Sequence, residues 1–232
     1  MPVLELITSS GLGSLLGMRH ALEPDHLAAV STLVSGEQSS YKAAFLGACW
    51  GLGHTVALVV VGAFVVVLRT ELPARASNIF EFGVALMLVG LGLRAIYLAA
   101  RQGAAGPVRA HHHGRVVHVH SGATSHIHLG AWTLARRPLV VGAIHGLAGS
   151  GALTALVLTT LPTTAARLTY MVVFGLGSTL GMAALSGLLG WPLARAGQHR
   201  GLARALSLAV GCASTALGLA WGYPLAGRVL GF

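Results

Sequence analysis

Between Ala43 and Leu68 only Cys49 and His54 carry ionisable side chains. An apolar run of about 20 residues suffices to cross roughly 30 Å of hydrocarbon as a helix, and this one is longer. Lipid offers no hydrogen bonds to the backbone, so a chain crossing it must satisfy its own amides, which a helix does within a single segment. Similar runs lie at about 80–99, 138–160, 168–190 and 205–224, and a less clean first segment at about 6–34 brings the count to six. Charged residues make up only 9% of the chain and its mean hydropathy is +0.74, far from a soluble composition. The expected fold is all-α: one polytopic transmembrane domain over residues 1–232 with about six membrane helices. Glu5 stands where a secretory signal would carry positive charge, so the first segment reads as a retained helix.

The net charge of +9 does not point to nucleic acid, because its placement follows the membrane. Lys42, Arg101, Arg109, Arg115, Arg136, Arg137, Arg195, Arg200 and Arg204 fall in or beside the first, third and fifth loops, against Arg69, Arg75, Arg167 and Arg228 on the other side. Positive residues accumulate on the cytoplasmic side of a membrane helix. That asymmetry sets loops one, three and five in the cytoplasm and both termini outside, in a multi-pass protein of the cytoplasmic (inner) membrane. Cys49 and Cys212 lie inside apolar runs without a CxxC, so they form no disulfide framework.

The two halves of the chain resemble each other. "GMRHALEPDHLAAV" (17–30) aligns with "GAIHGLAGSGALTA" (142–155), pairing His20 with His145, Pro24 with Gly149 and Asp25 with Ser150. Farther along, "WGLGHTVAL" (50–58) aligns with "FGLGSTLGM" (174–182), pairing His54 with Ser178. Three helices per half would put the second half into the membrane upside down. The expectation is two inverted repeats, about 6–100 and 138–226, joined by a loop at about 101–137. Such repeats commonly build secondary transporters, with binding near the midplane on helices broken by Gly or Pro at corresponding positions.

The polar stretch "HALEPDH" (20–26) is the costly part. His20 and His26 lie about 120° apart around a regular helix, so a shared site requires a break. Pro24 supplies one, because it lacks an N–H and clashes with the carbonyl four positions back. Residues 6–34 would also span roughly 43 Å if fully helical, more than the hydrocarbon needs. An ionised carboxylate at the centre of a membrane helix costs about 2.5–3.5 kcal/mol, and such residues usually line a pathway. Imidazole nitrogen with carboxylate oxygen suits Ni2+, Co2+ or Zn2+, and the lack of nearby thiolate argues against Cu(I). His20, Asp25 and His26 are the candidate metal ligands. His54, between small residues that permit close helix approach, and His145 are candidates as ligands or as histidines hydrogen-bonded across helices. Glu23 and Arg19, four apart, read as an ion pair at the membrane edge.

"HALEPDH" matches an H-x4-D-H motif and resembles the signature of the nickel/cobalt transporter family. The following "LAAVSTLV", with "GLGHTVAL" and "HGLAGSGAL", is similar to its shorter, urease-accessory nickel permease branch. The resemblance covers most of the chain. It implies that His20, Asp25 and His26 form the metal-recognition motif and His54 a second histidine motif, and that relatives include importers and efflux proteins.

Seven of the twelve histidines fall in "HHHGRVVHVHSGATSHIHLG" (111–130). His118 and His120 precede a Ser-Gly-Ala-Thr-Ser turn, and His126 and His128 follow it, with apolar residues on the alternate parity. That pattern predicts a hairpin with one histidine face, suited to Zn2+, Ni2+ or Co2+; a flexible, metal-buffering tract is the compositional alternative. On the cytoplasmic side it would receive or present ions, and a cytoplasmic metallochaperone is the matching partner.

The chain therefore reads as a permease for Ni2+ or Co2+ with the lipid bilayer as its medium, no prosthetic group and no catalytic residues. Uptake is the leading direction and efflux the alternative. No G-x4-G-K-[ST] loop occurs, so energy would come from an ion gradient or another chain. The rival from another class is a thiol-disulfide electron carrier, which would need Cys49 and Cys212 to approach. A sensor or chaperone scaffold working through the histidine loop is a third reading.

Overall fold

The computed structural model of the protein describes residues 3–34, 37, 39–68, 72–101, 110–113, 116–119, 126–129, 132–196 and 199–231. Among these residues the order is α1 (Val3–His20), α2 (Pro24–Val34), α3 (Ser40–Leu68), α4 (Ala74–Arg101), β1 (Ala110–His113), β2 (Val116–Val119), β3 (His126–Leu129), β4 (Trp132–Ala135), α5 (Arg136–Thr160), α6 (Thr164–Ala196) and α7 (Arg200–Leu230). Every apolar run becomes helical, and the first becomes two helices rather than one. Four helices are long and apolar enough to cross a membrane among the described residues: α3, α4, the Thr164–Leu193 part of α6 and the Gly201–Leu230 part of α7. The expected count of six spans is thus larger than the number that length and apolarity alone identify. The protein is a helical integral membrane protein.

The outer face of α3 shows why. Leu52, Val56, Val60 and Phe64 recur every four residues and are all exposed, while His54 and Leu58 on the same helix are buried. A soluble protein rarely exposes a continuous apolar stripe of this kind. Its inner face is built from Gly47, Gly51 and Gly53, all buried.

The break in the first segment has a defined geometry. The amide of Leu22 donates to the carbonyl of Arg19 (2.9 Å) and that of Glu23 to His20 (3.1 Å), closing α1 with tighter i→i+3 turns. Pro24 then opens α2, where a missing N–H costs nothing because the first helical amides have no partner within the helix. The expected clash of Pro24 with the His20 carbonyl is therefore avoided: the chain stops one helix and starts another. Asp25 falls in the first turn of α2, where the helix dipole favours negative charge.

The main helix contacts are α3 with α6, α4 with α7, α3 with α5, and α1 with α6. Glycines make these approaches possible. A Cβ at Gly53 would strike the carbonyl of Leu139 on α5, and one at Gly177 would strike that of Ser14 on α1. Likewise Gly142 lies against the Trp50 carbonyl and Gly17 against that of Phe174. At the α3–α6 crossing, the Thr55 and Thr179 hydroxyls are 2.8 Å apart. By the offset of the aligned segments the contacts come in matching pairs: Gly53–Leu139 corresponds to Gly177–Ser14, Gly142–Trp50 to Gly17–Phe174, and Thr55 to Thr179.

The histidine-rich segment departs from the expected hairpin. β1 pairs antiparallel with β2, matching His111 with His118, and β3 pairs with β4, matching His126 with Ala135 and His128 with Thr133. The strands holding His118 and the His126–His128 pair thus lie in separate two-stranded sheets. Pairing each strand with its nearer flank closes a shorter loop, which costs less entropy than bridging the Ser-Gly-Ala-Thr-Ser segment. The fold is all-α as expected, and these four short strands lie between α4 and α5. His120 lies outside the described residues, as do the side chains of residues 110–134.

Candidate metal centre

Five polar side chains from four helices meet at the break. His20 ends α1, Asp25 and His26 open α2, His54 sits midway along α3, and His145 comes from α5. His26 is 1% exposed, His54 0%, His145 2% and Asp25 6%. Asp25 joins two imidazoles: His26 Nδ1 lies 3.0 Å from Oδ1, and His145 Nε2 lies 2.7 Å from Oδ2. His20 Nδ1 lies 3.0 Å from Glu23 Oε1. Glu23 thus engages His20, one turn back along the chain, in place of the expected pairing with Arg19.

The imidazoles are close enough to act together. Ring centroids are 4.4 Å apart for His20 and His26, 4.1 Å for His26 and His145, and 5.3 Å from His54 to both His20 and His26. Two sets of three donors each fit within 4.8 Å: His20, His26 and His54, and Asp25, His26 and His145. His20 Nε2, His26 Nε2, both His54 nitrogens and His145 Nδ1 are buried without a hydrogen-bond partner among the described residues. A native protein rarely leaves so many buried polar atoms unpaired in one place, and borderline nitrogen donors arranged this way suit a first-row divalent cation. The sequence-nominated His20, Asp25, His26, His54 and His145 are therefore brought together. His118, His126 and His128 are elsewhere on strands.

Gly149, which aligns with Pro24 in the sequence, lies beside the cluster, and a Cβ there would sit 3.7 Å from His20 Nε2. A cavity of about 780 Å3 runs from the cluster outward, lined by Arg19, Glu23, Pro24, Glu81, Tyr170, Phe174 and Trp221 among others. Three of the chain's six carboxylates, Glu23, Asp25 and Glu81, face it against one arginine, so its lining favours cations.

Some contributors escaped the sequence reading. Glu81 had no motif around it. Trp50 packs 5.5 Å from the His26 ring and 5.7 Å from that of His145, while Phe174 packs 5.4 Å from that of His20. A signal did exist for these two, since they are the paired first residues of "WGLGHTVAL" and "FGLGSTLGM". Cys49 is buried on α3 and Cys212 exposed on α7, both as free thiols. The cysteine pair that an electron carrier requires is not formed.

Residues 6–217 match the family described as NicO, high-affinity nickel-transport protein. The chain belongs to the NicO family. Among curated relatives, this NicO chain is 31% identical to the urease accessory protein UreH of Bacillus sp. (strain TB-90), over 97% of its own length and 95% of the relative's. It is 27% identical to the Arabidopsis thaliana chloroplast protein FOR GROWTH AND FERTILITY 2 over 80% of its own length and 48% of the relative's. With FOR GROWTH AND FERTILITY 1 of the same plant it shares 34% identity, over 36% of its length and 24% of the relative's. No solved structure matches this NicO chain.

Proposed function

We propose that this chain carries Ni2+, and by the same donor chemistry Co2+, into the cell across the cytoplasmic membrane, by way of the His20, Asp25, His26, His54 and His145 cluster. The observation that carries the reading is the convergence of these side chains, from both halves of a membrane protein, at the break in its first helical segment. Membership in a family of nickel-transport proteins supports the identity of the ion.

The architecture proposed with it is six crossings in two inverted halves. The α1–α2 unit, α3 and α4 form one half; α5, α6 and α7 form the other. Support comes from the helix contacts: exchanging the halves leaves α3–α6 and α4–α7 unchanged and converts α3–α5 into α6–α1. Rocking of such halves about a midplane site gives alternating access. The ion enters the cavity past Glu23 and Glu81, exchanges waters for the buried donors and leaves toward the cytoplasm. The histidines at 111–128, including His118, His120, His126 and His128, receive it there, bind Zn2+ as a competing ion and pass nickel to a metallochaperone.

The test is total cellular nickel, measured by elemental analysis at trace external Ni2+, in cells expressing the wild type or His20→Ala. A gain over empty cells that His20→Ala abolishes is the expected result. A loss that the variant abolishes would mean export, and no change in either would overturn transport through this cluster.

A further inference from the structure

The two donor sets share His26 but differ in what holds them together. In the Asp25, His26 and His145 set, proximity is explained by hydrogen bonds between its own members, at 3.0 and 2.7 Å. In the His20, His26 and His54 set, three imidazoles crowd together while His20 Nε2, His26 Nε2 and both His54 nitrogens have no partner. Nothing among the described residues repays that desolvation.

The carboxylates explain how the lone pairs come to be available. An ionised carboxylate only accepts hydrogen bonds, so an imidazole nitrogen facing it must carry the proton. Glu23 therefore holds the proton of His20 on Nδ1, and Asp25 holds that of His26 on Nδ1. In both rings Nε2 is left as a lone pair, and both Nε2 atoms are buried and unpartnered. Metal-ligating histidines characteristically donate their other N–H to a carboxylate, which fixes the tautomer and raises the basicity of the ligand.

We infer that the cation is held by His20, His26 and His54, and that Asp25 and Glu23 are positioning residues which orient these imidazoles instead of binding the ion. This rests on the transport reading above and divides the roles within its site. Two carboxylates one hydrogen bond removed also match the charge of a divalent ion without giving it the oxygen ligands that Mg2+ and Ca2+ prefer. His145, tied to the second oxygen of Asp25, braces that carboxylate from the opposite half of the chain.

Nickel K-edge X-ray absorption on the purified full-length protein with one equivalent of Ni2+ counts the imidazole ligands, and equilibrium titration with Ni2+ gives the affinity. Three imidazoles are expected in the wild type, two in His54→Ala or His54→Gln, and three in His145→Ala. Glu23→Ala should weaken binding by about 10–100-fold with the imidazole count unchanged. Glu23→Gln, whose amide oxygen accepts the same N–H, should restore most of that loss. Glu23 is exposed, so neither change threatens the fold. A count that falls in His145→Ala and not in the His54 variants, or Glu23→Ala binding as tightly as wild type, would overturn the inference. Three-imidazole binding without Ni2+ uptake into proteoliposomes would defeat the transport reading and leave this assignment standing. Uptake by a protein whose count ignores the His54 variants would defeat the assignment alone.

Discussion

His145 Nε2 lies 2.7 Å from Asp25 Oδ2, a bond between residues 120 positions apart that ties the two halves of the chain at their centre. Both groups are buried. Removing one partner of a buried hydrogen bond leaves the other unsatisfied, at a cost of about 1–3 kcal/mol. His145→Ala is therefore expected to unfold earlier in a thermal or denaturant titration. The His145→Ala, Asp25→Ala double variant should recover much of that stability while transporting no nickel, because His26 then loses its orienting carboxylate. A double variant no more stable than His145→Ala would count against the pairing.

The glycine contacts predict a sharp contrast between positions. Gly53 faces the Leu139 carbonyl with no room for a Cβ, whereas nothing lies within 4 Å of a Cβ at Gly83. Gly53→Val should force α3 and α5 apart and destabilise by about 1–3 kcal/mol or more. Gly83→Ala should be neutral, or stabilising by up to about 1 kcal/mol, since alanine restricts the unfolded chain. Unfolding in detergent, followed by circular dichroism, checks both.

At the α3–α6 crossing, the Thr55 hydroxyl reaches the Gly175 carbonyl at 2.7 Å and that of Thr179 reaches it at 2.9 Å. Interhelical hydrogen bonds in membranes are weak, averaging about 0.6 kcal/mol. A double-mutant cycle of Thr55→Val and Thr179→Val should give a coupling of that order, with nickel uptake reduced more than stability if this crossing is where the halves pivot. A coupling indistinguishable from zero would mean that the glycines, and not the hydroxyls, hold the crossing.

Cys49 and Cys212 are free and sit on different helices, one buried and one exposed. The Cys49→Ala, Cys212→Ala protein is expected to take up nickel at the wild-type rate and to remain folded, apart from the small loss of the Cys49 side chain from its packing. Radioactive 63Ni2+ uptake measures this directly. Lost uptake in a stable double variant would bring thiol chemistry back into the mechanism.

The membrane character, the break at "HALEPDH" and the polar side chains that gather there are legible in the sequence, because each rests on a local cost. Apolar runs cannot remain in water, Pro24 cannot continue a helix past His20, and histidines and carboxylates in an apolar segment need partners. The alignment of the halves was legible too, since it compares residues with residues. What local reasoning could not supply was which groups face which across the bundle. Helical spacing alone pairs Glu23 with Arg19, yet the chain turns at the break and delivers Glu23 to His20. Parity alone pairs the histidine strands with each other, yet each lies with its own neighbour, as the shorter loop closure favours. His145 could have been a ligand or a hydrogen-bonded histidine; only the crossing of α3 with α5 and the position of α2 brought it to Asp25. Sequence alone determined the solvent this chain folds in and the side chains it would have to bury. Tertiary structure decided which nitrogen of His20, His26 and His145 is tied, because that depends on how the break turns Glu23 and Asp25 and on the approach of His145 from 120 positions away.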